Sequence, residues 1–316
     1  MPASGGPGGQ GNPARVMLHP VDLPGVPAAL SAIRGIDLVC PPDEAGVMQA
    51  IGSCPVLVTR RWQEAYLHPG LRWVQAMSAG YEQFPVDALE DAGVVLCTAS
   101  GLHTSVAEHA IGLLLTLTRD INGSMSSGRG QQWNPHDAAE VGEMTIVILG
   151  LEAIGQAIAR RLSTWGCRLI GVTRSPLTRR SDVADVRPLS RLAEACEEAS
   201  ALLVAIALTP DTSGLVSGPE LDGLGRGWVV NVSRGGVIDE AAMVARLADG
   251  RLRGAGLDVF AREPLPADSP LWSLSNVVCT PHMAGMSPHY ASRLAGLVAH
   301  NLRAFEGHAT WRNRIC

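Results

Sequence analysis

The chain has 316 residues, with 30 acidic and 25 basic side chains and a formal charge of −5, and every basic residue is Arg. Without a lysine there is no Schiff-base chemistry of the pyridoxal-phosphate or lysine-aldolase kind, and no Walker lysine for an ordinary P-loop NTPase. The mild acidity also speaks against non-specific nucleic-acid binding, which needs a basic face to neutralise phosphates.

The first 13 residues, MPASGGPGGQGNP, are rich in Gly and Pro with no apolar core, which predicts a disordered tail and not a signal peptide. From residue 15 to 100 the apolar runs RVMLH, DLVC, CPVLVT, LRWVQAM and GVVLCT alternate with helical or turn-rich pieces. That spacing predicts βαβ units around a parallel sheet. The stretch TSVAEHAIGLLLTLTRDI predicts a long helix, with Ser105 and Glu108 at capping-box spacing. Its richest apolar part, Ile111 to Leu117, is far too short to span a bilayer, so no membrane partner is expected. Residues 122–143 break the pattern and are expected to form an extended arm or loop.

A second alternating series starts at Thr145: TIVILG, CRLIGVT, ALLVAIAL, GWVVNV, LRGAGLDVF and NVVCT as strands, with EAIGQAIARRLSTWG as a helix. Strand, helix and strand at this spacing predict a doubly wound domain. The last amphipathic segment, SPHYASRLAGLVAHNLRAFEGH, predicts a helix that packs back against the first domain. The seven cysteines are scattered singly with no C-x-x-C. Such a set reads as reduced thiols, and hence as a soluble cytoplasmic protein.

Three groups of residues carry chemistry. Directly after TIVIL comes Gly150-Leu151-Glu152-Ala153-Ile154-Gly155, placed where a strand gives way to a helix, as in a dinucleotide-binding loop. Gly150 suits the tight turn and Gly155 the close helix–strand packing. Gly150, Ala153, Ile154 and Gly155 are the candidate phosphate-loop residues, their backbone lying at a helix N-terminus. Glu152 stands where the middle glycine of that fingerprint falls. A carboxylate about 5 Å from a phosphate charge, at an effective dielectric near 20, would cost roughly 3 kcal/mol. Glu152 must therefore point outward or pair with an Arg; otherwise the loop is a non-binding turn.

The second strand of this series ends Thr173-Arg174-Ser175, with Arg179 and Arg180 close by. An Arg here suits a 2′-phosphate better than a ribose diol, so Arg174 and Ser175 favour NADP, with NAD the alternative. A solvated loop, or an Arg174–Glu152 pair, are the other readings of the same residues.

Polar residues also follow three strand ends, where ligands sit in open parallel sheets. They are Ser233-Arg234 after GWVVNV, Glu263 after GLDVF, and His282 after NVVCT. An Arg, a Glu and a His converging there would suit a 2-oxo acid. Arg234 would grip carboxylate and 2-oxygen bidentately. His282 would move a proton at that oxygen, and Glu263 on the other ring nitrogen would favour the imidazolium.

At these segments the chain resembles the D-isomer-specific 2-hydroxyacid dehydrogenase family, which includes glyoxylate/hydroxypyruvate reductases. NVSRGGVIDEAAMVARLADGRLRGAGLDVFAREPLP carries most of the likeness, supported by CTPHMAG, LTPDTSGLV and SVAEHAIGLLL. The resemblance implies an α/β fold of two doubly wound parallel-sheet domains. A Rossmann-type cofactor domain (103–285) would be inserted in a discontinuous flavodoxin-like substrate domain (1–102 and 286–316). It implies Arg234, Glu263 and His282 as the catalytic set, with Asp258 on the nicotinamide carboxamide and Thr212 and Ser233 also at the cofactor. Ser78, Ala79 and Gly80 would hold the substrate carboxylate through backbone N–H groups, a role that a Gly-ending loop after a strand can fill. His103, Tyr81, Met283 and Met286 are candidate pocket residues.

The resemblance further implies a homodimer formed through the long helix and an arm at about 120–143, with Trp133 a candidate contact. Ala207 departs mildly from the family pattern, and Glu rather than Gln beside the histidine disfavours formate oxidation. The expected activity is hydride transfer between NADP(H) or NAD(H) and a small 2-oxo or 2-hydroxy acid. The alternative is a catalytically silent nucleotide-binding interaction protein with the same fold, which Glu152 favours.

Overall fold

The computed structural model describes residues 13–102, 104–174 and 182–316. All but the last residue of the expected tail lies outside them, as do His103, Ser175, Arg179 and Arg180. The chain divides into two compact units, Met1–Leu102 with Pro288–Cys316, and His103–Ser287. The second boundary falls two residues beyond the expected 285, because Met286 and Ser287 continue the loop that follows the last strand.

The first unit contains β1 (Ala14–Leu18), α1 (Val26–Ser31), β2 (Ile36–Val39), α2 (Glu44–Ala50), β3 (Val56–Thr59), β4 (Trp73–Ala76), α3 (Val86–Asp91) and β5 (Val95–Cys97). Its parallel sheet runs β2-β1-β3-β4-β5, the flavodoxin order. The strands are short and nearly continuously apolar because both faces are covered. On one face Val16, Val56, Val58 and Trp73 meet Leu294, Val298 and Leu302 of the C-terminal helix; on the other, Leu57, Val74 and Leu96 meet Val47 and Leu89. The open edge of β5 is taken by the last residues of the chain. Cys97 bridges Arg314 antiparallel, and Ile315 N–H donates to Leu96 O at 2.8 Å.

The second unit opens with α4 (Thr104–Thr118) and α5 (Ile121–Arg129). It continues with β6 (Thr145–Leu149), α6 (Ala153–Leu162), β7 (Arg168–Thr173), β8 (Asp185–Pro188), α7 (Leu192–Glu197), β9 (Ala201–Val204), α8 (Gly218–Gly223), β10 (Trp228–Asn231), α9 (Glu240–Ala248), β11 (Gly254–Leu257) and β12 (Val277–Cys279); α10 (Tyr290–Phe305) returns to the first unit. The parallel order β12-β11-β10-β9-β6-β7-β8 winds outward both ways from β6. Strand order therefore reverses between β6 and β9, beside the Gly150 turn, where such sheets bind dinucleotides. Alternate residues face opposite layers: Val147 and Leu149 join one core, Ile146 and Ile148 the other.

Three local expectations are corrected. The segment expected to be an extended arm or loop begins with helix α5, which Asp120 caps by accepting from Gly123 N–H at 3.2 Å. The capping box at Ser105 does not form. Helix α4 already includes Ser105, whose hydroxyl is buried without a partner, and Glu108 instead accepts from Arg161 at 3.1 Å. Strand β8 was not expected at all. Its Arg187 is held by Asp185 and Glu198 at 2.7 Å each. Among the described residues no helix is long and apolar enough to cross a membrane, and no cluster of His, Cys, Asp and Glu could hold a metal.

Candidate active site

Glycine chemistry shapes the loop after β6. Gly150 has φ +93°, and a Cβ there would lie 2.7 Å from the backbone of Ile206; at Gly155 it would lie 1.8 Å from Gly150 O. Neither position tolerates a side chain, so β6, α6 and the loop after β9 approach one another closely. Glu152, by contrast, has ordinary extended backbone (φ −76°, ψ −163°) and an exposed side chain that does not cap α6. Among the described residues it forms no ion pair with Arg174. Ala153 is exposed and Ile154 half-buried at the helix start, while Arg174 is exposed at the end of β7. The helix N-terminus of α6, reached through this tight glycine turn and left without a side-chain cap, fits a dinucleotide pyrophosphate.

The loops after β10, β11 and β12 carry Arg234, Glu263 and His282, the side chains expected to react. His282 Nδ1 lies 2.6 Å from Glu263 Oε2, with the side chains 47% and 34% exposed. The other oxygen of Glu263 accepts from Phe260 N–H at 3.0 Å, which fixes the carboxylate plane. A carboxylate only accepts, so Nδ1 carries the hydrogen and Nε2 is the nitrogen left for chemistry. Arg234 follows the neighbouring strand β10, its guanidinium donating to Ser233 O at 2.8 Å.

Asn231, which sequence reasoning passed over, builds the Arg234 turn. It is buried at the end of β10, accepts from Ser233 N–H and Oγ–H at 3.0 and 3.1 Å, and donates to Arg234 O at 3.0 Å. The available signal was a lone polar residue ending an apolar strand, GWVVNV.

Three residues expected at the cofactor, Thr212, Ser233 and Asp258, are buried. Thr212 is 0% exposed, and its hydroxyl donates to Ala207 O and accepts from Thr209 N–H, both at 2.7 Å. Ser233 is 8% exposed and engaged by Asn231. Asp258 is 1% exposed and accepts from Thr280 Oγ1 (2.6 Å), Met283 N–H (2.9 Å) and Ala284 N–H (2.8 Å). Their polar groups are needed by the chain's own loops, since a buried polar group left unpaired is costly.

In the first unit, Ser78, Ala79 and Gly80 follow β4 as expected, all half-buried. Ser78 Oγ closes onto Gly80 O at 2.6 Å and accepts from Gln83 at 3.2 Å, while Ser78 O receives Ala99 N–H at 2.9 Å. Tyr290 of α10 donates to Met77 O, immediately before this loop, and burial pushes its phenol pKa upward. Tyr81, Met283 and Met286 are exposed.

A family model described as D-isomer specific 2-hydroxyacid dehydrogenase, NAD binding domain, matches residues 111–284. The D-3-phosphoglycerate dehydrogenase of Mycobacterium bovis is 32% identical over 290 residues. That match covers 89% of this chain but 54% of the relative, so the chain spans about half the length of the mycobacterial proteins it matches. The glyoxylate reductase of Korarchaeum cryptofilum is 31% identical over 282 residues, 84% of either chain. Among solved structures, the NADPH-dependent glyoxylate/hydroxypyruvate reductase of Sinorhizobium meliloti, in complex with NADP and malonate, superposes with a TM-score of 0.82 at 28% identity. The superposition covers 96% of this chain and 97% of that one.

Proposed function

Because this chain belongs to the D-isomer specific 2-hydroxyacid dehydrogenase family, we propose that it is an oxidoreductase that reduces a small 2-oxo acid to the D-2-hydroxy acid. The observation that carries this reading is the His282–Glu263 pair at 2.6 Å, set one strand away from Arg234. Those three groups answer the needs of the reaction: a proton at the 2-oxygen, an anchor for that proton carrier, and a planar cation for the carboxylate.

In this reading His282 donates from Nε2 to the 2-oxygen and takes the proton back in the reverse direction. Glu263 holds the ring in the tautomer that leaves Nε2 outward. Arg234 pairs with carboxylate and 2-oxygen. Gly150, Ala153, Ile154 and Gly155 receive the dinucleotide backbone at the start of α6, and Arg174 favours NADP(H) over NAD(H) by facing a 2′-phosphate. The bound dihydronicotinamide supplies hydride for the 2-carbon.

A homodimer is part of the same reading. It is supported by the apolar side chains exposed along the 121–133 segment: Ile121, Met125 and Trp133, the last 96% exposed.

Titration with NADPH and NADH, followed by nicotinamide fluorescence, tests the proposal first. Saturable binding with NADPH the tighter ligand is expected, followed by turnover on a panel of glyoxylate, hydroxypyruvate, pyruvate and larger 2-oxo acids. Absence of saturable binding at millimolar cofactor would overturn it.

A further inference from the structure

His109 lies inside helix α4, yet its side chain ends at the loop that carries His282. Its Nε2 is 2.9 Å from Thr280 Oγ1 and 3.5 Å from Asp258 Oδ1. We infer that His109 is a positioning residue for His282, acting through Thr280 and Asp258. The catalytic consequence rests on the dehydrogenase reading above; the structural consequence does not.

The contact follows from how α4 lies on β11. A Cβ on Gly254 would meet Leu117 at 3.3 Å, and one on Gly256 would meet Leu113 at 2.9 Å. The next residue on that face of the strand is Asp258, and the next on that face of the helix is His109. Two strand residues advance about 6.6 Å and four helix residues about 6 Å, so the steps 254, 256, 258 and 117, 113, 109 stay in register. The two glycines bring the helix close enough for the third step to be a polar contact.

Hydrogen counting fixes the direction of that contact. Thr280 Oγ1 has one hydrogen, which it donates to the Asp258 carboxylate at 2.6 Å. Toward His109 it can only accept, so His109 Nε2 must carry a hydrogen. A ring protonated only on Nδ1 would set two lone pairs against each other 2.9 Å apart.

Asp258 then passes this constraint to both flanks of His282. Its carboxylate receives Met283 and Ala284 N–H, and its carbonyl receives His282 N–H at 2.9 Å. His282 needs such restraint because its backbone sits at φ +49°, a left-handed conformation that is unfavourable for a residue with a Cβ. Without the His109 donor, Thr280 and Asp258 lose the contact that fixes their rotamers. The loop can then relax toward ordinary φ values, and His282 drifts from Glu263.

The test compares His109→Leu, which removes the donor, with His109→Gln, which places an amide N–H the same number of bonds from the backbone. In the intact protein, amide hydrogen exchange at Met283 and Ala284 should quicken about tenfold or more in H109L and stay near wild type in H109Q. With the 2-oxo acid that the wild type reduces, kcat should fall on the order of tenfold in H109L, with KM for NADPH unchanged and kcat restored in H109Q. If H109L does not fold, Thr280→Val cuts the same link from the loop side and Thr280→Ser should restore it. Exchange and kcat unchanged in H109L, or H109Q failing as H109L does, would overturn the inference. Should the wild type reduce nothing on the panel, the dehydrogenase reading falls, while the exchange comparison still decides the positioning role.

Discussion

Glu263 meets the ring of His282 at 2.6 Å although the two residues come from loops after different strands, β11 and β12. The pairing depends on the parallel register of those strands, Leu257 opposite Cys279, which brings both loops out at the same level. Replacing Glu263 by Ala should lower kcat about a hundredfold, the scale on which a positioned acid–base group acts. Glu263→Gln, whose amide oxygen can still accept from Nδ1, should lose less. Steady-state kinetics with NADPH held saturating would check both, and equal kcat in E263A and wild type would remove Glu263 from the site.

Arg234→Lys separates a bidentate cation from a point charge. The ammonium keeps the sign but loses the planar fork that matches a carboxylate, so kcat/KM for the 2-oxo acid should fall on the order of a hundredfold. The Kd for NADPH should change little. An unchanged kcat/KM would show that the carboxylate is held elsewhere.

Glu152 is exposed, so its repulsion of a phosphate is screened by solvent and smaller than the roughly 3 kcal/mol of a pair at a dielectric near 20. Glu152→Gln should tighten NADPH binding several-fold at low ionic strength. The difference should shrink in about 0.5 M salt, where the screening length falls below 5 Å. Fluorescence titration at two salt concentrations reads this directly.

Acid stability should depend on the end of β8. Arg187, followed by Arg168, holds the Glu198 carboxyl down to about 2, and Arg187 also lowers that of Asp185. Each carboxyl stabilises the fold fully above its unfolded value and loses that contribution as pH falls through its folded value. For Glu198 the window runs from 4.5 to about 2. Arg187→Met should therefore lower Tm by a few degrees at pH 7 and flatten the fall of Tm across that window, as followed by thermal unfolding.

The thiols offer a check on burial. Burial pushes Cys97 and Cys196 up to about 12 and Cys279 to about 11; it raises Cys40 as well, but that thiol alone is exposed. A thiol reagent at pH 8 should react first with Cys40, a phase that Cys40→Ser removes. All seven cysteines should react once the protein is unfolded.

Much of this architecture is legible from apolar runs, because strands buried on both faces are nearly continuous in Val, Ile and Leu. What escaped has physical reasons. β8 reads DVRP because it is an edge strand whose Arg187 is met by Glu198, a partner outside the strand. α5 reads INGSMSSGR, a poor helix former that depends on the cap from Asp120. Ser105 and Glu108 have the spacing of a capping box, but Arg161 on α6 binds Glu108 instead, which no local pattern reveals. The Arg, Glu and His were visible as polar residues after apolar strands. Asn231 and the inward turn of Asp258 were not, since they serve backbone groups of loops whose shape the sequence does not display.

The pairing of the C-terminal segment with β5 also bears on how the protein can be handled. A bare parallel edge offers a row of unmatched N–H and C=O groups to any extended chain. Here Asn313, Ile315 and Cys316 occupy that row, and Asn313 also reaches Ser100 O at 2.7 Å. Removing residues 311–316 would turn a self-covered sheet into an adhesive one, so intermolecular association in light scattering should precede any loss of helical signal. An affinity tag is better kept away from this end of the chain.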